Sequence, residues 1–304
     1  MSAPRWVEVL VLAPEGWHEL VAEALSTEAT TSVCLGAPSL GTEPAPAGRE
    51  YVRTFFAEAD DGPALRATLS GRLAGLAAAT GAAELAGLRA RFRILPSEDW
   101  ANSWRREARP IRVGRLCILP PDWAGVLRPD DLRLTLEPGG AFGTGRHATT
   151  RGCLRELSRR VRPGARILDA GSGSGILAVG CALLGAERAL GFDTDRHALP
   201  YAIELARRNG VTARCEFRHG DFTVLGEHDR EFDGCLANLY ADLLQAHAAD
   251  LAGRLAPGGW FCFSGCRADK APATRAALDG AGLAVETVHR RGRWVTFAGG
   301  RPAR

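Results

Sequence analysis

Leu168-Asp169-Ala170-Gly171-Ser172-Gly173-Ser174-Gly175 is the stretch of the sequence that decides the fold. The run Arg166–Leu168 reads as a short buried strand, and the apolar residues from Ile176 to Val179 begin a helix. Glycines at alternate positions let the backbone of this turn approach a ligand, because no Cβ stands in the way. The sequence therefore predicts a strand, a ligand-binding turn and a helix in succession; an ordinary tight turn is the alternative.

An acidic residue, Asp193, ends the next apolar run, eighteen residues after Gly175. Its carboxylate can accept hydrogen bonds from both hydroxyls of a ribose. The dinucleotide-binding fingerprint also combines a glycine turn with a ribose-binding acidic residue, but it needs a small residue three positions after its second glycine. Ile176 occupies that position here. Alternate glycines led by Asp169 therefore favour S-adenosylmethionine over NAD as the cofactor, because no pyrophosphate has to be bound at the start of the helix.

Length and composition limit the class of protein. The 304 residues exceed a usual single domain, and contents of 46% apolar and 24% charged residues are those of a soluble globular protein. The first five residues lead directly into a strand-like segment, with no signal peptide and no long apolar run. We therefore expect a cytoplasmic protein with no membrane partner. A net charge of +3 is too small to indicate nucleic acid, and we expect no direct requirement for it.

The eight cysteines show neither a disulfide framework nor a metal site. They include no C-x-x-C pair, and no histidine pair of metal-ligand spacing accompanies Cys262 and Cys266. Buried free thiols and the absence of a bound metal are the prediction.

Residues 1–94 predict a small N-terminal domain. Strands are expected at Trp6–Leu12, Thr30–Leu35, Tyr51–Ala57 and Ala90–Leu95, and helices at Glu15–Leu25 and Gly62–Leu76. The order β-α-β-β-α-β is typical of a ferredoxin-like split βαβ module in the α+β class. Residues 95–130 are predicted to form a linker with a short helix, on which Trp100 and Trp104 share one face.

Residues 131–304 predict an α/β domain. Helix-like segments separate most of its apolar runs, which are Leu132–Leu136, Ile167–Leu168, Ala189–Phe192, Cys215–Phe217, Gly234–Ala237 and Trp260–Ser264. This alternation favours a parallel sheet covered on both faces. At the end of the chain, Leu283–His289 and Arg293–Ala298 are joined by so short a turn that they must be antiparallel. A parallel sheet with a terminal antiparallel hairpin is the topology of the Rossmann-like class I methyltransferases, and it argues against a dehydrogenase.

A glycine-rich loop before the first strand of that sheet is a second candidate cofactor contact. Four glycines fall within the seven residues 139–145, which predicts a mobile loop able to close over a ligand. Phe142 could shield a reacting centre from water. Thr149 or Thr150 could hydrogen-bond the amino-acid end of the cofactor. Because these threonines also start a probable helix, capping of that helix is the alternative.

Two further residues of the loop are candidates. Thr144 is counted with Phe142 among the cofactor contacts. His147 is a conceivable general base, although packing of the loop or orientation of a substrate would equally explain an imidazole there.

Asn238, within Cys235–Tyr240, ends the fourth strand of the predicted sheet. Ligands of open α/β folds bind at the carboxyl ends of the strands. An asparagine there can accept hydrogen bonds from an amine and aim its lone pair, and orientation supplies much of the catalysis of an in-line methyl transfer. Capping of the following helix is the structural alternative for Asn238. Tyr240 either lines the amine pocket or packs.

Asp221 follows another predicted strand, after Arg218-His219-Gly220. Folds of this kind contact the adenine amino group at that position, so Asp221 is a candidate cofactor contact. An exposed carboxylate with no ligand is the competing interpretation.

From about Glu98 to the C-terminus the chain resembles the bacterial ribosomal protein L11 methyltransferase (PrmA) family. The stretches EPGGAFGTGRHATTR, at residues 137–151, and LANLYADL, at residues 236–243, carry the resemblance and are specific to this group. The resemblance also covers LDAGSGSGILAVGCALLGA at residues 168–186. It implies methylation, dependent on S-adenosylmethionine, of lysine side chains and N-terminal amines of a large-subunit ribosomal protein, either free or on the ribosome.

The resemblance also implies roles for individual positions. Carried over, Thr150, Gly171, Asp193 and Asn238 contact the cofactor, Gly173 lies with them in the glycine turn, and Asn238-Leu239-Tyr240 faces the amine. The family has a small N-terminal substrate-recognition domain on a flexible linker, in line with the module predicted for residues 1–94. Arg146, Ala148 and Ala170 depart from the usual pattern and put little of this in doubt.

Three other functions stay open at this point. The same enzyme type could act on a lysine of a different protein or on a small amine. A binding module that has lost activity is a second possibility, against which the intact Asp193, Asn238 and glycine turn speak. An NAD oxidoreductase is the third, and it would bind nicotinamide.

Overall fold

The computed structural model describes residues 5–25, 32–35, 45–57, 61–96, 110–136, 145, 147–196 and 198–303. The chain divides into two compact units, Met1–Ala108 and Arg109–Arg304. Across these ranges, no helix is both long enough and apolar enough to cross a membrane.

The first unit is an antiparallel sheet with two helices. Its strands are β1 (Arg5–Pro14), β2 (Ser32–Leu35), β3 (Arg49–Ala57) and β4 (Arg91–Pro96), and its helices are α1 (His18–Leu25) and α2 (Pro63–Thr80). The strand order is β2-β3-β1-β4, and all three pairings are antiparallel. This arrangement confirms the predicted split βαβ module.

Sequence periodicity explains how this unit packs. In β1, alternate residues Val7, Val9 and Val11 are buried in the same core cluster as the apolar face of α2. Proline at the start of α2 and Gly81 after its end, at φ +69°, set the limits of the helix. Proline fits the first turn because the missing N–H has no partner there, and glycine accepts the left-handed cap conformation.

A three-stranded sheet opens the second unit. It consists of β5 (Ile111–Val113), β6 (Leu116–Leu119) and β7 (Leu132–Thr135). The first two strands lie inside the predicted linker. We expected the run Leu132–Leu136 to join the large parallel sheet, but it pairs with β6 instead. An apolar run shows that a strand is buried, but it does not show which neighbour accepts its backbone hydrogen bonds. The helix predicted near Trp100 and Trp104 lies outside the described residues.

The second sheet of this unit has seven strands: β8 (Arg166–Ala170), β9 (Arg188–Asp193), β10 (Cys215–His219), β11 (Phe232–Asn238), β12 (Leu255–Arg267), β13 (Ala284–Arg291) and β14 (Trp294–Gly300). Their order is β10-β9-β8-β11-β12-β14-β13. Neighbours from β10 to β12 are parallel, whereas β14 is antiparallel to both β12 and β13. The predicted Rossmann-like methyltransferase topology, with its terminal hairpin, is confirmed.

Helices cover both faces of this sheet. They are α3 (Ala148–Arg160), α4 (Ile176–Leu183), α5 (Ala198–Arg208), α6 (Ala241–Ala246), α7 (Ala248–Arg254) and α8 (Ala271–Gly280). Successive strand residues point to opposite faces: Ile167 belongs to the core cluster of α3, α4 and α5, and Leu168 to that of α6, α7 and α8. The chain order reverses between β8 and β11, so the carboxyl ends of these strands border the crevice in which open α/β sheets bind ligands.

Candidate active site

The glycine turn after β8 adopts a conformation that other residues rarely accept. Gly171, Gly173 and Gly175 have φ values of +71°, +50° and +77°. The N–H groups of Gly171 and Ser172 donate to the carbonyl oxygen of Phe192 at 2.9 and 3.0 Å, which holds the turn against the end of β9. The left-handed geometry explains why the sequence places glycine at each of these three positions.

Leu239 lies directly against this turn. A Cβ added at Gly171 would collide with the Leu239 side chain, and one at Gly175 would press against Ala202 and Phe217. Glycine at position 171 therefore accepts the left-handed backbone angle and lets Leu239 pack close to the turn. The contact also brings the segment after β11 to the turn after β8.

Asp193 is anchored by backbone groups on both sides of its carboxylate. Its Oδ2 accepts from the N–H of Gly173 at 2.7 Å, and its Oδ1 accepts from the N–H of Asp195 at 2.8 Å. Each carboxylate oxygen has more than one acceptor site, and the side chain is only partly buried. Asp193 can therefore accept two further hydrogen bonds from a pair of neighbouring hydroxyls.

Asp169 fixes the start of α4 from the preceding strand. Gly175 is the N-cap of this helix and has no side chain, so Asp169 Oδ2 accepts from the N–H of Ala178 at 3.1 Å in its place. The Asp169 carboxyl is fully buried, and its Oδ1 has no hydrogen-bond partner within the described ranges. Burial raises its pKa to about 7; the Ala178 bond opposes this rise and the charge of Asp193 adds to it.

Asn238 meets the first turn of α3. Its Nδ2 donates to Oγ1 of the buried Thr150 at 3.4 Å, and this orientation leaves Oδ1 for another donor. Neither residue caps a helix, because the N-cap of α6 is Tyr240 and that of α3 is His147. Capping, the structural alternative for both residues, therefore does not account for them.

His147 caps α3 with its ring. Its Nδ1 accepts from the N–H of Thr149 at 3.4 Å and lies 2.7 Å from Thr149 Oγ1. An accepting Nδ1 implies a neutral imidazole with its proton on Nε2. The ring also stands edge to face with Trp294, with centroids 5.2 Å apart. Trp294 is 7% exposed, and its Nε1 has no hydrogen-bond partner in the part of the chain that the structure describes.

Tyr240 and Asp221 form the outer border of the site. Tyr240 is 69% exposed and follows Leu239, whose N–H donates to the carbonyl oxygen of Ser264 at 3.1 Å. Asp221 is exposed; its Oδ1 accepts from Thr223 Oγ1 at 2.7 Å and from the Thr223 N–H at 2.9 Å, and both bonds lower the pKa of Asp221. Solvent exposure, the competing interpretation for Asp221, thus agrees with its position.

Most of the predicted site residues thus border one crevice, formed by the carboxyl ends of β8, β9, β10 and β11 and the start of α3. Phe142 and Thr144 lie outside the described residues. Sequence reasoning missed Trp294 and the capping role of Asp169. The capping role of Asp169 could have been inferred from the sequence, because a glycine N-cap leaves the helix without a side-chain acceptor and Asp169 precedes it by six residues. No signal in the sequence connected Trp294 with His147.

Metal binding finds no support within the described ranges. No group of three or more His, Cys, Asp or Glu side chains there is placed to hold an ion. The cysteines whose side chains the structure describes are free thiols, and burial raises the pKa of Cys215 to about 12.

Comparison with known proteins identifies the family. The model of the family "Ribosomal protein L11 methyltransferase (PrmA)" matches residues 6–302. A ribosomal protein L11 methyltransferase of Pelotomaculum thermopropionicum is 38% identical over 97% of this chain and 98% of its own length. One from Thermus thermophilus is 41% identical over 67% of this chain and 78% of its own length. The crystal structure of a ribosomal protein L11 methylase from Lactobacillus delbrueckii subsp. bulgaricus superposes with a TM-score of 0.58 at 30% identity, covering 64% of this chain and all of that one. The chain belongs to the ribosomal protein L11 methyltransferase family.

Proposed function

We propose that this protein transfers methyl groups from S-adenosylmethionine to lysine side-chain and N-terminal amines of ribosomal protein L11. The observation that carries the proposal is the juxtaposition at the carboxyl edge of the large sheet. There, Asp193 and the glycine turn stand on one side, and the Thr150–Asn238 pair stands on the other.

The residues present fit this cofactor. Asp193 is held by two backbone N–H groups and can accept a ribose diol, while Gly171 and Gly173 present backbone without a Cβ. We expect Thr150 and Asn238, which contact each other, to bind the amino-acid end of the cofactor. When bound, the cofactor supplies a methyl group already activated by the positive sulfonium. Phe142, Thr144 and Asp221 complete the proposed set of cofactor contacts.

Orientation of the amine is the proposed task of Asn238-Leu239-Tyr240. Thr150 engages the amide nitrogen of Asn238, so the carbonyl oxygen is the group available to accept an N–H of the incoming amine. Fixing the amine this way aims its lone pair, and correct alignment alone is worth several kcal/mol of an in-line displacement. The exposed Tyr240 would line the entry. We assign His147 to positioning, because its Nδ1 is occupied as a helix cap.

Substrate identity rests on the relatives. Those cited above are named for methylation of ribosomal protein L11, and the match extends over both units of this chain. We propose that the split βαβ module recognises the ribosomal protein and that the second unit performs the transfer. The relevant acceptors are then the amines of that protein, whether free or assembled.

Radiolabelled methyl transfer tests the proposal. Purified enzyme and S-adenosylmethionine are incubated with free ribosomal protein L11, and mass spectrometry maps the modified amines. Label on lysine and N-terminal amines is expected. A parallel assay uses a total extract of ribosomal proteins. Label on a different protein of that extract, with none on L11, would contradict the proposed substrate but would still support methyl transfer from S-adenosylmethionine.

Cofactor binding is tested separately by calorimetry with S-adenosylhomocysteine. Asp193→Asn places an amide nitrogen opposite a backbone N–H, so the affinity should fall about tenfold or more, as for loss of a hydrogen bond to a charged group. Asp233→Asn is the matched control, because Asp233 accepts the N–H of Arg166 at the other end of β8. Equal affinities of the two variants would remove Asp193 from the site.

A further inference from the structure

Leu239 follows Asn238, the residue proposed to orient the substrate amine, and lies between two glycines with left-handed backbone angles. A Cβ added at Gly171, in the turn after β8, would collide with the Leu239 side chain. A Cβ added at Gly265, in β12, would collide with the Leu239 backbone. The φ values of these glycines are +71° and +86°. Leu239 therefore has little room to move between the two.

An irregularity of β12 makes this close approach possible. Between Phe263 and Cys266 the pairing of β12 with β14 shifts, so that Ser264 and Gly265 stand opposite the single residue Thr296. We call Ser264 and Gly265 the β12 bulge. An extra residue in one strand bends that strand and redirects its groups, and such bulges are frequent next to active sites.

The position of the β12 bulge sets it apart from the other irregularities of the large sheet. The pairing of β11 with β12 also shifts at residues 232–234, and that of β13 with β14 shifts at residues 285–287. Both of these lie toward the end of the sheet opposite the candidate active site. The β12 bulge lies at the carboxyl end, where Ser264 is the register partner of Asn238.

The β12 bulge fixes the backbone at Leu239 in two ways. The carbonyl oxygen of Ser264 accepts a hydrogen bond from the N–H of Leu239 at 3.1 Å. Gly265 provides space, because a Cβ there would stand 2.7 Å from the Leu239 carbonyl carbon and 3.0 Å from its nitrogen. Gly258, in the same strand, also has a left-handed φ of +79°, but a Cβ there would be 4.0 Å from its nearest neighbour, Ala303. The missing side chain at Gly265 thus admits the segment that follows β11.

Buried hydroxyl groups anchor the β12 bulge to the neighbouring strand. Ser264 Oγ and Thr296 Oγ1 are hydrogen-bonded at 2.7 Å, and neither residue is more than 4% exposed. Thr296 also packs on α3, since a Cβ added at Gly152 would collide with its hydroxyl. Gly152 lies two residues after Thr150, whose Oγ1 accepts the hydrogen bond from Asn238. The bulge is therefore connected with both members of the Thr150–Asn238 pair.

We propose that Ser264, Gly265 and Thr296 are positioning residues for the methyl transfer. They act through Leu239: by fixing its backbone they hold the preceding Asn238 with its carbonyl oxygen directed at the substrate amine. The inference rests on the proposed function, because it is there that Asn238 orients the amine. A misplacement of about 1 Å can cost about a hundredfold in rate, so a small shift of this backbone should be measurable in kcat.

Gly265→Ala tests the backbone contact. The added methyl group must displace Leu239, so kcat for methylation of free ribosomal protein L11 should fall about tenfold or more. Affinity for S-adenosylhomocysteine, measured by calorimetry, should fall only severalfold. Gly258→Ala is the matched control, because it introduces left-handed strain into the same strand without the collision. The control should have a lower melting temperature and the kcat of the wild type.

Thr296 provides a second pair of variants, which decides the matter even if Gly265→Ala does not fold. Thr296→Val is nearly isosteric but removes the closest hydrogen-bond partner of Ser264 Oγ, so kcat should fall severalfold. Thr296→Ser keeps the hydroxyl and should keep kcat, although it removes a buried methyl group. If Thr296 were merely structural, both variants would be destabilised and would keep kcat in assays below their melting temperatures.

Hydrogen exchange separates this inference from the proposed function. The Leu239 amide is protected by its bond to Ser264, and mass spectrometry of the peptide that contains it should show faster exchange in Gly265→Ala but not in Gly258→Ala. Absence of methyl transfer by the wild type would count against the proposed function and leave this measurement valid. Wild-type kcat or wild-type exchange in Gly265→Ala, an equal loss of kcat in Gly258→Ala, or equal kcat values for the two Thr296 variants would each overturn the proposal.

Discussion

Polar side chains at the two ends of the large sheet differ in whether they have hydrogen-bond or ionic partners. On the flank of β10 and the amino ends of β9 and β11, Arg218 is paired with Asp229 and Glu216, and Arg188 binds Glu216 at 2.6 Å. This region also lines a pocket of about 310 Å³. Although a cavity is present, charges there neutralise one another, as expected of groups that stabilise a fold.

Several buried polar atoms at the carboxyl end have no such partner. Asp169 Oδ1, Ser172 Oγ and Trp294 Nε1 find no acceptor or donor in the part of the chain that the structure describes. Unsatisfied buried polar atoms are costly and rare in native proteins, so their concentration at one end of the sheet needs an explanation. Between these two ends of the sheet, unmet hydrogen-bonding groups, more than cavity volume, distinguish the candidate active site from the paired polar groups.

Replacing Asn238, the proposed acceptor for the substrate amine, should give the largest effect. Asn238→Ala removes the proposed acceptor for the amine, and we expect kcat to fall about a hundredfold, the cost of losing alignment at the reacting centre. Affinity for S-adenosylhomocysteine, measured by calorimetry, should fall only severalfold, because Asn238 is one of several proposed cofactor contacts.

The matched control is Asn209→Ala. Asn209 hydrogen-bonds both backbone groups of Thr135, at 2.7 and 2.9 Å, so its loss should lower the melting temperature and leave kcat unchanged. Wild-type turnover by the Asn238 variant would remove this residue from the catalytic assignment and weaken the distinction between the two ends.

Asp169 should make stability depend on pH in an unusual direction. Its folded-state pKa of about 7 lies above the ordinary aspartate value of 3.8, so folding takes up a proton between these pH values. The stabilising contribution is complete below pH 3.8 and is lost as the pH rises to about 7. Asp169→Asn keeps an acceptor for Ala178 and does not titrate.

Denaturant unfolding of the two proteins across this range measures the effect. The free energy of unfolding of the wild type should fall relative to the variant by up to about 1.4 kcal/mol per pH unit, the value of one differential proton. Parallel curves would show that the carboxyl is not buried as the structure has it.

Much of the fold was predictable, because local conformational preferences and tertiary packing favour the same strands, turns and helices. Alternating valines in β1 and the glycines after β8 leave few options for the backbone. The three-stranded sheet was not predicted. β6 and β7 form backbone hydrogen bonds with each other, but the loop between them has no periodic sequence pattern that indicates the pairing. The positions of Asp193 and Asn238 at the ends of β9 and β11 were predictable, because apolar runs followed by a polar residue mark strand ends in the sequence. The contact of Trp294 with His147 depends on how the terminal hairpin packs on α3, which only the fold shows.

The glycine turn offers a test of intermediate size. Gly171→Ala should both strain the backbone and displace Leu239, whereas Gly164→Ala introduces the same left-handed strain, at φ +82°, into open space. Gly164→Ala should lose about 1 kcal/mol of stability, and Gly171→Ala should lose more because it also displaces Leu239. Calorimetry should show weaker binding of S-adenosylhomocysteine for the Gly171 variant alone, and equal binding by both would mean that the turn is structural.

Substitution of His147 should produce the smallest effect and separate positioning from base catalysis. A lost helix cap costs about 1 kcal/mol, and asparagine is among the best N-cap residues. His147→Ala should therefore lower the melting temperature and weaken cofactor affinity severalfold through Thr150. His147→Asn, which keeps a cap but cannot act as a base, should recover most of both quantities together with kcat. If instead both variants lose kcat equally while only the alanine variant is destabilised, the imidazole takes a proton in the reaction, and the start of α3 belongs to the catalytic machinery itself.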